Sequence, residues 1–161
     1  VGWTKEAFVL PHKTIRDSNG QRVIFQTEGA LRHQYATTGS LEHWQNEIAR
    51  FAVGNSRLVL SISSALVGPS LPLLGEEGGG LHFRGGSSIG KSTALIAAVS
   101  VWGPPELMRQ WRSTANALEG VCVLHNETFL ALDEIGQLDP KEAGSVGYLI
   151  ANGKGKARSG R

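Results

Sequence analysis

Gly85-Gly86-Ser87-Ser88-Ile89-Gly90-Lys91-Ser92 fills every fixed position of the pattern G-x-x-x-x-G-K-S. The stretch before it, Leu81-His82-Phe83-Arg84, predicts a short strand. The stretch after it, Lys91 to Trp102, is rich in Ala, Leu and Ile and predicts a helix, stopped by Gly103-Pro104-Pro105. A strand, a glycine turn and a helix in that order are the context in which the pattern forms a phosphate-binding loop (a P-loop, or Walker A motif). Four fixed positions recur by chance in roughly one chain of this length in a few hundred, given average glycine usage of about 7 per cent. The 21 glycines here raise that rate. The flanking pattern therefore decides against the competing reading, a structural glycine turn.

Each residue type has a physical reason. A triphosphate needs several donors at short range, and backbone N–H groups supply them where no Cβ blocks the approach, hence Gly85 and Gly90. The N-terminus of the following helix points further N–H groups at the same anion. Lys91 adds a mobile cation for the β- and γ-phosphates, and Ser92 offers a hydroxyl to magnesium, a hard cation that prefers oxygen. The expected nucleotide contacts are residues 85–92 together with Thr93.

A second signal lies downstream. Thr128-Phe129-Leu130-Ala131-Leu132 runs straight into Asp133-Glu134. An apolar run ending in two acids fits a central parallel strand that delivers carboxylates at its carboxyl end, where α/β folds place ligands. Asp133 is the expected magnesium partner, directly or through water. Glu134 is the expected general base for the attacking water, and Lys91 and Glu134 are the expected catalytic pair. Alone, an apolar run ending in Asp-Glu is as readily a surface feature. Its place downstream of the glycine loop is what favours the functional reading, with ATP and magnesium as cofactors. An adjacent glutamate also separates hydrolysing motors from P-loop kinases and switch GTPases.

The rest of the chain sets this element in an α/β frame. Residues 1–38 are read as a β-rich element, 39–78 as a helical region and 79–161 as part of a P-loop NTPase core, truncated at its C-terminal side. Ala7 to Leu10 and Arg22 to Gln26 predict strands of a hairpin around the turn Asp17-Ser18-Asn19-Gly20, with Pro11 confining the first strand to an edge or an end. Ser40 is a good N-cap for a helix carrying Leu41, Trp44, Ile48, Phe51 and Ala52, which Gly54-Asn55 ends. Ser56 to Val67 predicts a second, uniformly apolar helix closed by Gly68-Pro69. Further helices are expected at Thr114 to Leu124 and Pro140 to Ala151, and a strand at Thr128 to Leu132.

Composition narrows the classes. Forty per cent hydrophobic residues suffice for a packed core, and 19 per cent charge is below a disordered composition. The net charge of +2 gives no global field for nucleic acid, although residues 151–161 hold Lys154, Lys156, Arg158 and Arg161 and no acid. The single cysteine, Cys122, excludes an internal disulfide and fits a cytoplasmic location; within Val121 to Leu124 it reads as a buried small hydrophobe. Leu58 to Gly75 carries no charge and is long enough to suggest a membrane span. Its four serines, with Pro69 and Pro72, point instead to a buried helix followed by a turn, and no membrane partner is expected. The five histidines show no metal-ligand spacing. The start without Met and the end in a basic run predict a piece of something longer.

Arg158 and Arg161 have three readings: transition-state arginines acting on a neighbouring subunit, a solvated tail, or contacts to nucleic-acid phosphates. Asn152 reads as a turn residue rather than a γ-phosphate sensor, Asn116 as a helix start, and Trp102 and Trp111 as core rather than a base-stacking platform.

Taken in combination, several stretches resemble the domain-of-unknown-function family 927, found in phage- and plasmid-type primase-helicase proteins. They are Gly2-Trp3 with Phe8-Val9-Leu10-Pro11, Gly54-Asn55-Ser56-Arg57-Leu58, the loop Gly85 to Ser92, Ser100-Val101-Trp102-Gly103, Trp111 to Asn116, Leu132-Asp133-Glu134, and Ala151 to Arg158. The resemblance covers almost the whole chain. It implies a helicase-like ATPase, or an inactivated derivative of one, often beside a primase module. The motor reading itself adds single-stranded DNA as the expected partner and a homo-oligomer, since transition-state arginines often come from a neighbouring subunit. The intact loop and acidic pair carry no sign of inactivation. Two functions from different classes are thus expected: an ATP-hydrolysing motor, and a nucleotide-gated binding or assembly module without useful turnover. A small-molecule kinase is a lesser third, disfavoured because no arginine cluster follows the acidic strand.

Overall fold

In the computed structural model the described residues are 1–5, 7–15, 23, 25, 34–112 and 115–152. They form a mixed α/β structure with a small antiparallel sheet, a short parallel pair and six α-helices. The antiparallel sheet comprises β1 (Gly2–Thr4), β2 (Ala7–Val9) and β3 (Thr14–Ile15), in that spatial order. Here the hairpin expectation is corrected. Ala7–Val9 is the middle strand, with Phe8 opposite both Trp3 and Ile15. Its turn is Leu10 to Lys13, closed by Leu10 N–H to Lys13 O at 2.8 Å. Pro11 sits inside that turn, where its missing N–H is harmless, so the strand it follows is free to be central. The turn at Asp17 to Gly20 and most of Arg22 to Gln26 lie outside the described residues.

Two capped helices follow. Ser40 Oγ accepts from His43 N–H at 3.1 Å and opens α1 (Leu41–Glu47). The expected single helix to Ala52 instead breaks at Ile48 (φ −127°) and resumes as a 3-10 turn, Ala49–Ala52. Leu41 and Phe51, two of the residues at helical spacing, are exposed, and the Arg50 guanidinium lies over the Phe51 ring at 4.7 Å. Asn55 Oδ1 accepts from Leu58 N–H and opens α2 (Ser56–Val67), with the expected bounds.

Gly68-Pro69 does not close the path. The chain continues through a 3-10 turn (Gly68–Ser70) into α3 (Leu71–Leu74) and stops at Gly75, in the left-handed region at φ +70°. Both Pro69 and Pro72 sit in the first turn of their segments, where proline is tolerated. Nor is α2 buried all round. Ser61, Ala65 and Gly68, at i, i+4 and i+7, are buried, whereas Val59, Leu60, Leu66 and Val67 are exposed. Ser56–Leu74 is the one helical stretch among the described residues long and apolar enough to cross a membrane, with a mean hydropathy of 1.5. Its small-residue stripe is already committed to protein: α2 packs on α4 (Lys91–Val99), which buries Ala94 and Ala98.

The second half has helices on both sides of a parallel pair. β4 (Arg109–Gln110) and β5 (Leu132–Asp133) align with Arg109 opposite Leu132 and Gln110 opposite Asp133. Arg109 N–H donates to Ala131 O at 2.9 Å and Trp111 N–H to Asp133 O at 3.1 Å. Side chains alternate across a strand, and the packing follows. Ala131 joins Val99 and Leu107, with Leu95, Trp102 and Phe129 packed around them. Leu132 packs on the opposite cluster, Leu118, Leu138 and Val146, contributed by α5 (Ala115–Leu124), the chain after β5, and α6 (Pro140–Asn152).

Three further expectations are corrected here. Leu81 to Arg84 is not a strand: it pairs with no strand among the described residues, and Leu81 is exposed. β5 begins at Leu132 rather than Thr128, because Thr128 N–H closes a turn onto His125 O at 3.1 Å. The helix from Lys91 ends at Val99, and residues 100–102 form a turn. Asn116 falls at the start of α5, as expected, and Asn152 ends α6 instead of sitting in a turn. Cys122 is half-buried, not buried. Burial, and then the nearby Glu119 charge, push its thiol above the usual range, which keeps it an inert thiol.

Candidate functional site

Gly85 to Gly90 forms an exposed loop that ends on the first turn of α4. Gly90 is in the left-handed region at φ +89°, which a residue with a Cβ adopts only under strain; this backbone turn aims the first N–H groups of α4 back at the loop. Gly85 is covered by a side chain: a Cβ there would lie 2.2 Å from Ile89 Cδ1, the end of an exposed side chain that can turn aside. Ser88, with φ 59°, shares the unusual backbone of the turn. Lys91 folds over the loop, its Nζ donating to Gly85 O at 3.1 Å and to Gly86 O. The ammonium is thus held by carbonyl dipoles rather than by a carboxylate, a hold that an anion can outcompete.

Across from the loop lies the end of β5. Ser92 Oγ donates to Asp133 Oδ2 at 2.7 Å, bridging 41 residues of sequence. Asp133 Oδ1 accepts the N–H of Glu134 at 2.8 Å, so both oxygens of this carboxylate are oriented. Glu134 itself is exposed and left-handed, with φ 59° and ψ 55°. Its carboxylate Oε2 accepts from Gln137 Nε2. Gln137 is a residue that sequence reasoning missed, because a spacing of three from a glutamate is too common to serve as a signal.

Nine of the eleven expected site residues line one open cleft of about 2120 Å³: Gly85, Ser87, Ser88, Gly90, Lys91, Ser92, Thr93, Asp133 and Glu134. Ile89 does not line it, and its side chain covers Gly85 instead. Gly86 meets the site through its carbonyl, which Lys91 contacts. No group of three His, Cys, Asp or Glu side chains able to hold a metal occurs among the described residues. Magnesium does not demand one, since it keeps several waters and is held by one or two protein oxygens plus phosphates. The Ser92 hydroxyl and Asp133 carboxylate, already in contact, are a donor set of that kind. Arg158 and Arg161, with Lys154 and Lys156, lie outside the described residues. Trp102 is core, packed on Val99 and Leu107 with its indole N–H donating to Ala65 O at 2.6 Å; Trp111 packs on the Leu118 cluster.

Behind the cleft wall the turn before β5 is braced. Tyr35 Oη donates to Leu124 O (3.0 Å) and lies 2.6 Å from Thr128 Oγ1, both in the interior. The His125 ring lies 5.9 Å from that of Tyr35, tilted by 42°, and its Nδ1 meets Val121 O at 2.8 Å. Burial chiefly lowers the His125 pKa, with the Arg109 charge adding to the shift and the Val121 carbonyl opposing it. β1 is tied to the same turn: Trp3 N–H donates to Glu127 Oε2 at 2.5 Å, and its indole N–H to Pro69 O at 2.7 Å.

The chain belongs to the family described as Domain of unknown function (DUF927), whose match spans residues 1–161. Neither a curated protein nor a solved structure matches it.

Proposed function

We propose that this DUF927 chain binds ATP with magnesium in the cleft between the 85–92 loop and the end of β5, and hydrolyses it as part of a nucleic-acid helicase or primase-helicase. The observation that carries the reading is the Ser92–Asp133 hydrogen bond. It joins the two sequence signals, 41 residues apart, in a contact of 2.7 Å that suits a shared magnesium ion. On this reading the second half of the chain is a P-loop core.

In this scheme the loop N–H groups and the α4 terminus bind the phosphates, and Lys91 leaves the Gly85 and Gly86 carbonyls to neutralise the β- and γ-phosphates. Magnesium, held by Ser92 and Asp133, would supply charge neutralisation on the same oxygens. Glu134 takes a proton from the attacking water. The new bond forms from the water oxygen to the γ-phosphorus as the bond to the β–γ bridging oxygen breaks, in line. ADP and phosphate leave. Single-stranded DNA is the proposed track, and a second copy of the chain, with a primase module alongside, the proposed assembly.

One observation favours a second reading. Lys91 at rest is satisfied by its own loop, which suits a module that takes nucleotide to gate an assembly without useful turnover. Phosphate release with and without single-stranded DNA decides between them, run beside Lys91→Ala and Glu134→Gln. The motor predicts DNA-stimulated release that both changes abolish, with nucleotide binding kept in Glu134→Gln. A wild type that binds ATP and releases no phosphate leaves the gating module.

A further inference from the structure

The geometry points to Gln137 as a positioning residue for Glu134. This rests on the hydrolytic reading above and names the group that sets its general base. Glu134 is a non-glycine residue in the left-handed region (φ 59°, ψ 55°), a conformation kept only where surrounding contacts over-determine it. Three contacts do so here. Asp133 Oδ1 accepts the Glu134 N–H at 2.8 Å, Gln137 N–H donates to Glu134 O at 3.0 Å, and Gln137 Nε2 donates to Glu134 Oε2. The first contact ties Glu134 to the carboxylate that also holds Ser92. The other two close a single turn, Glu134 to Gln137, with both its backbone and its side chain.

The far end of that turn is anchored. Leu138 is 8% exposed and packs with Leu118 and Val146. Gln137 is therefore fixed in its backbone between a closed turn and a core residue, and only its side chain is adjustable. An ionised carboxylate is an acceptor without a donor, so the amide must present its NH₂ group and not its oxygen to Glu134. That bond occupies Oε2 and leaves Oε1 to accept the proton of the attacking water. A glutamate on an exposed strand end otherwise spreads over many rotamers, few of which face the γ-phosphate. Misplacing a reacting group by about 1 Å costs as much as about a hundredfold in rate. Gln137 is not among the residues that line the cleft, so on this reading its removal acts on turnover and leaves nucleotide affinity alone.

The test is steady-state phosphate release by the full chain with Mg-ATP and single-stranded DNA, with affinity measured separately using a fluorescent ATP analogue and fold by thermal melting. The variants are Gln137→Ala, Gln137→Glu and Gln137→Lys, beside Lys91→Ala and Glu134→Gln. Gln137→Glu keeps the size and loses the donor; Gln137→Lys keeps a donor. Loss of the amide lowers kcat about tenfold in Gln137→Ala and at least as much in Gln137→Glu, with KM, analogue affinity and melting temperature unchanged, while Gln137→Lys retains more activity than either. Unchanged kcat in Gln137→Ala and Gln137→Glu, in a protein that Lys91→Ala and Glu134→Gln inactivate, overturns the role of Gln137 and leaves the motor standing. A fall in melting temperature or a rise in KM that tracks the loss of kcat overturns it too, in favour of a structural role. A wild type without magnesium-dependent phosphate release overturns the motor itself, and the positioning role with it.

Discussion

Gly68 lies against the carbonyl of Thr128: a Cβ built on Gly68 would stand 2.1 Å from Thr128 O. The backbone of Gly68 is ordinary right-handed helix, so the requirement for glycine comes from this close approach and not from its dihedral angles. The end of α2 and the turn that feeds β5 are thereby packed backbone to backbone. Gly68→Ala forces one of them to move, at a cost of about 1–3 kcal/mol. The expected outcome is a lower urea midpoint with no loss of α2 helicity by circular dichroism.

The same turn depends on Tyr35, whose hydroxyl satisfies Leu124 O and Thr128 Oγ1 in the interior. Tyr35→Phe leaves a buried carbonyl and hydroxyl less well paired and costs about 1–2 kcal/mol. Burial pushes the Tyr35 pKa up to about 12, against the opposing bond to Thr128. The folded state therefore holds its proton more tightly than the unfolded chain. This contribution is complete below pH 10 and is lost as pH rises from 10 towards 12. Denaturant midpoints measured across that range should fall in the wild type and fall less in Tyr35→Phe.

His125 gives the opposite sign. Its pKa is lowered by burial, so the folded state binds fewer protons than the unfolded chain, whose histidine titrates near 6.5. Stability from this source is complete above pH 6.5 and declines as pH drops below it. Thermal melts between pH 7.5 and 5.5 should show a decline that His125→Gln reduces.

Ser92→Ala and Asp133→Asn test the contact that unites the site. On the proposed function each weakens ATP binding about tenfold or more in magnesium and has little effect in EDTA, because the phosphate contacts of the loop remain. Titration of a fluorescent ATP analogue under both conditions checks this. Equal losses with and without the metal would place these residues elsewhere in the chemistry.

Much of this arrangement was legible in the sequence where the signal is local. Ser40 and Asn55 announce their helices because an N-cap acts within three residues. The turn into α4 was legible because Gly90 has a conformation few other residues adopt. Pairing is not local, and there the reading failed. Leu81 to Arg84 has the composition of a strand but pairs with none among the described residues, whereas Arg109–Gln110, two polar residues with no alternation, pairs with β5. Pro11 misled in the same way: it constrains its own position, not the strand before it. At the candidate site, the glycine loop and Asp133 stood out in the sequence because a phosphate-and-magnesium site would dictate their residue types, and the fold brings them together. Gln137 could not, since a glutamine three residues after a glutamate is common and only the left-handed backbone of Glu134 turns the two side chains together.

The helix that begins at Lys91 carries a built-in optical reporter at its other end. Trp44 donates its indole N–H to Ser100 Oγ at 2.8 Å, and Trp102, just past that helix, donates its own to Ala65 O. Indole emission is sensitive to such bonds. The nine-residue helix is about 13 Å long, and it links the glycine loop at one end to both chromophores at the other. On the proposed function, nucleotide arrival is expected to change intrinsic fluorescence, with no label and no added probe.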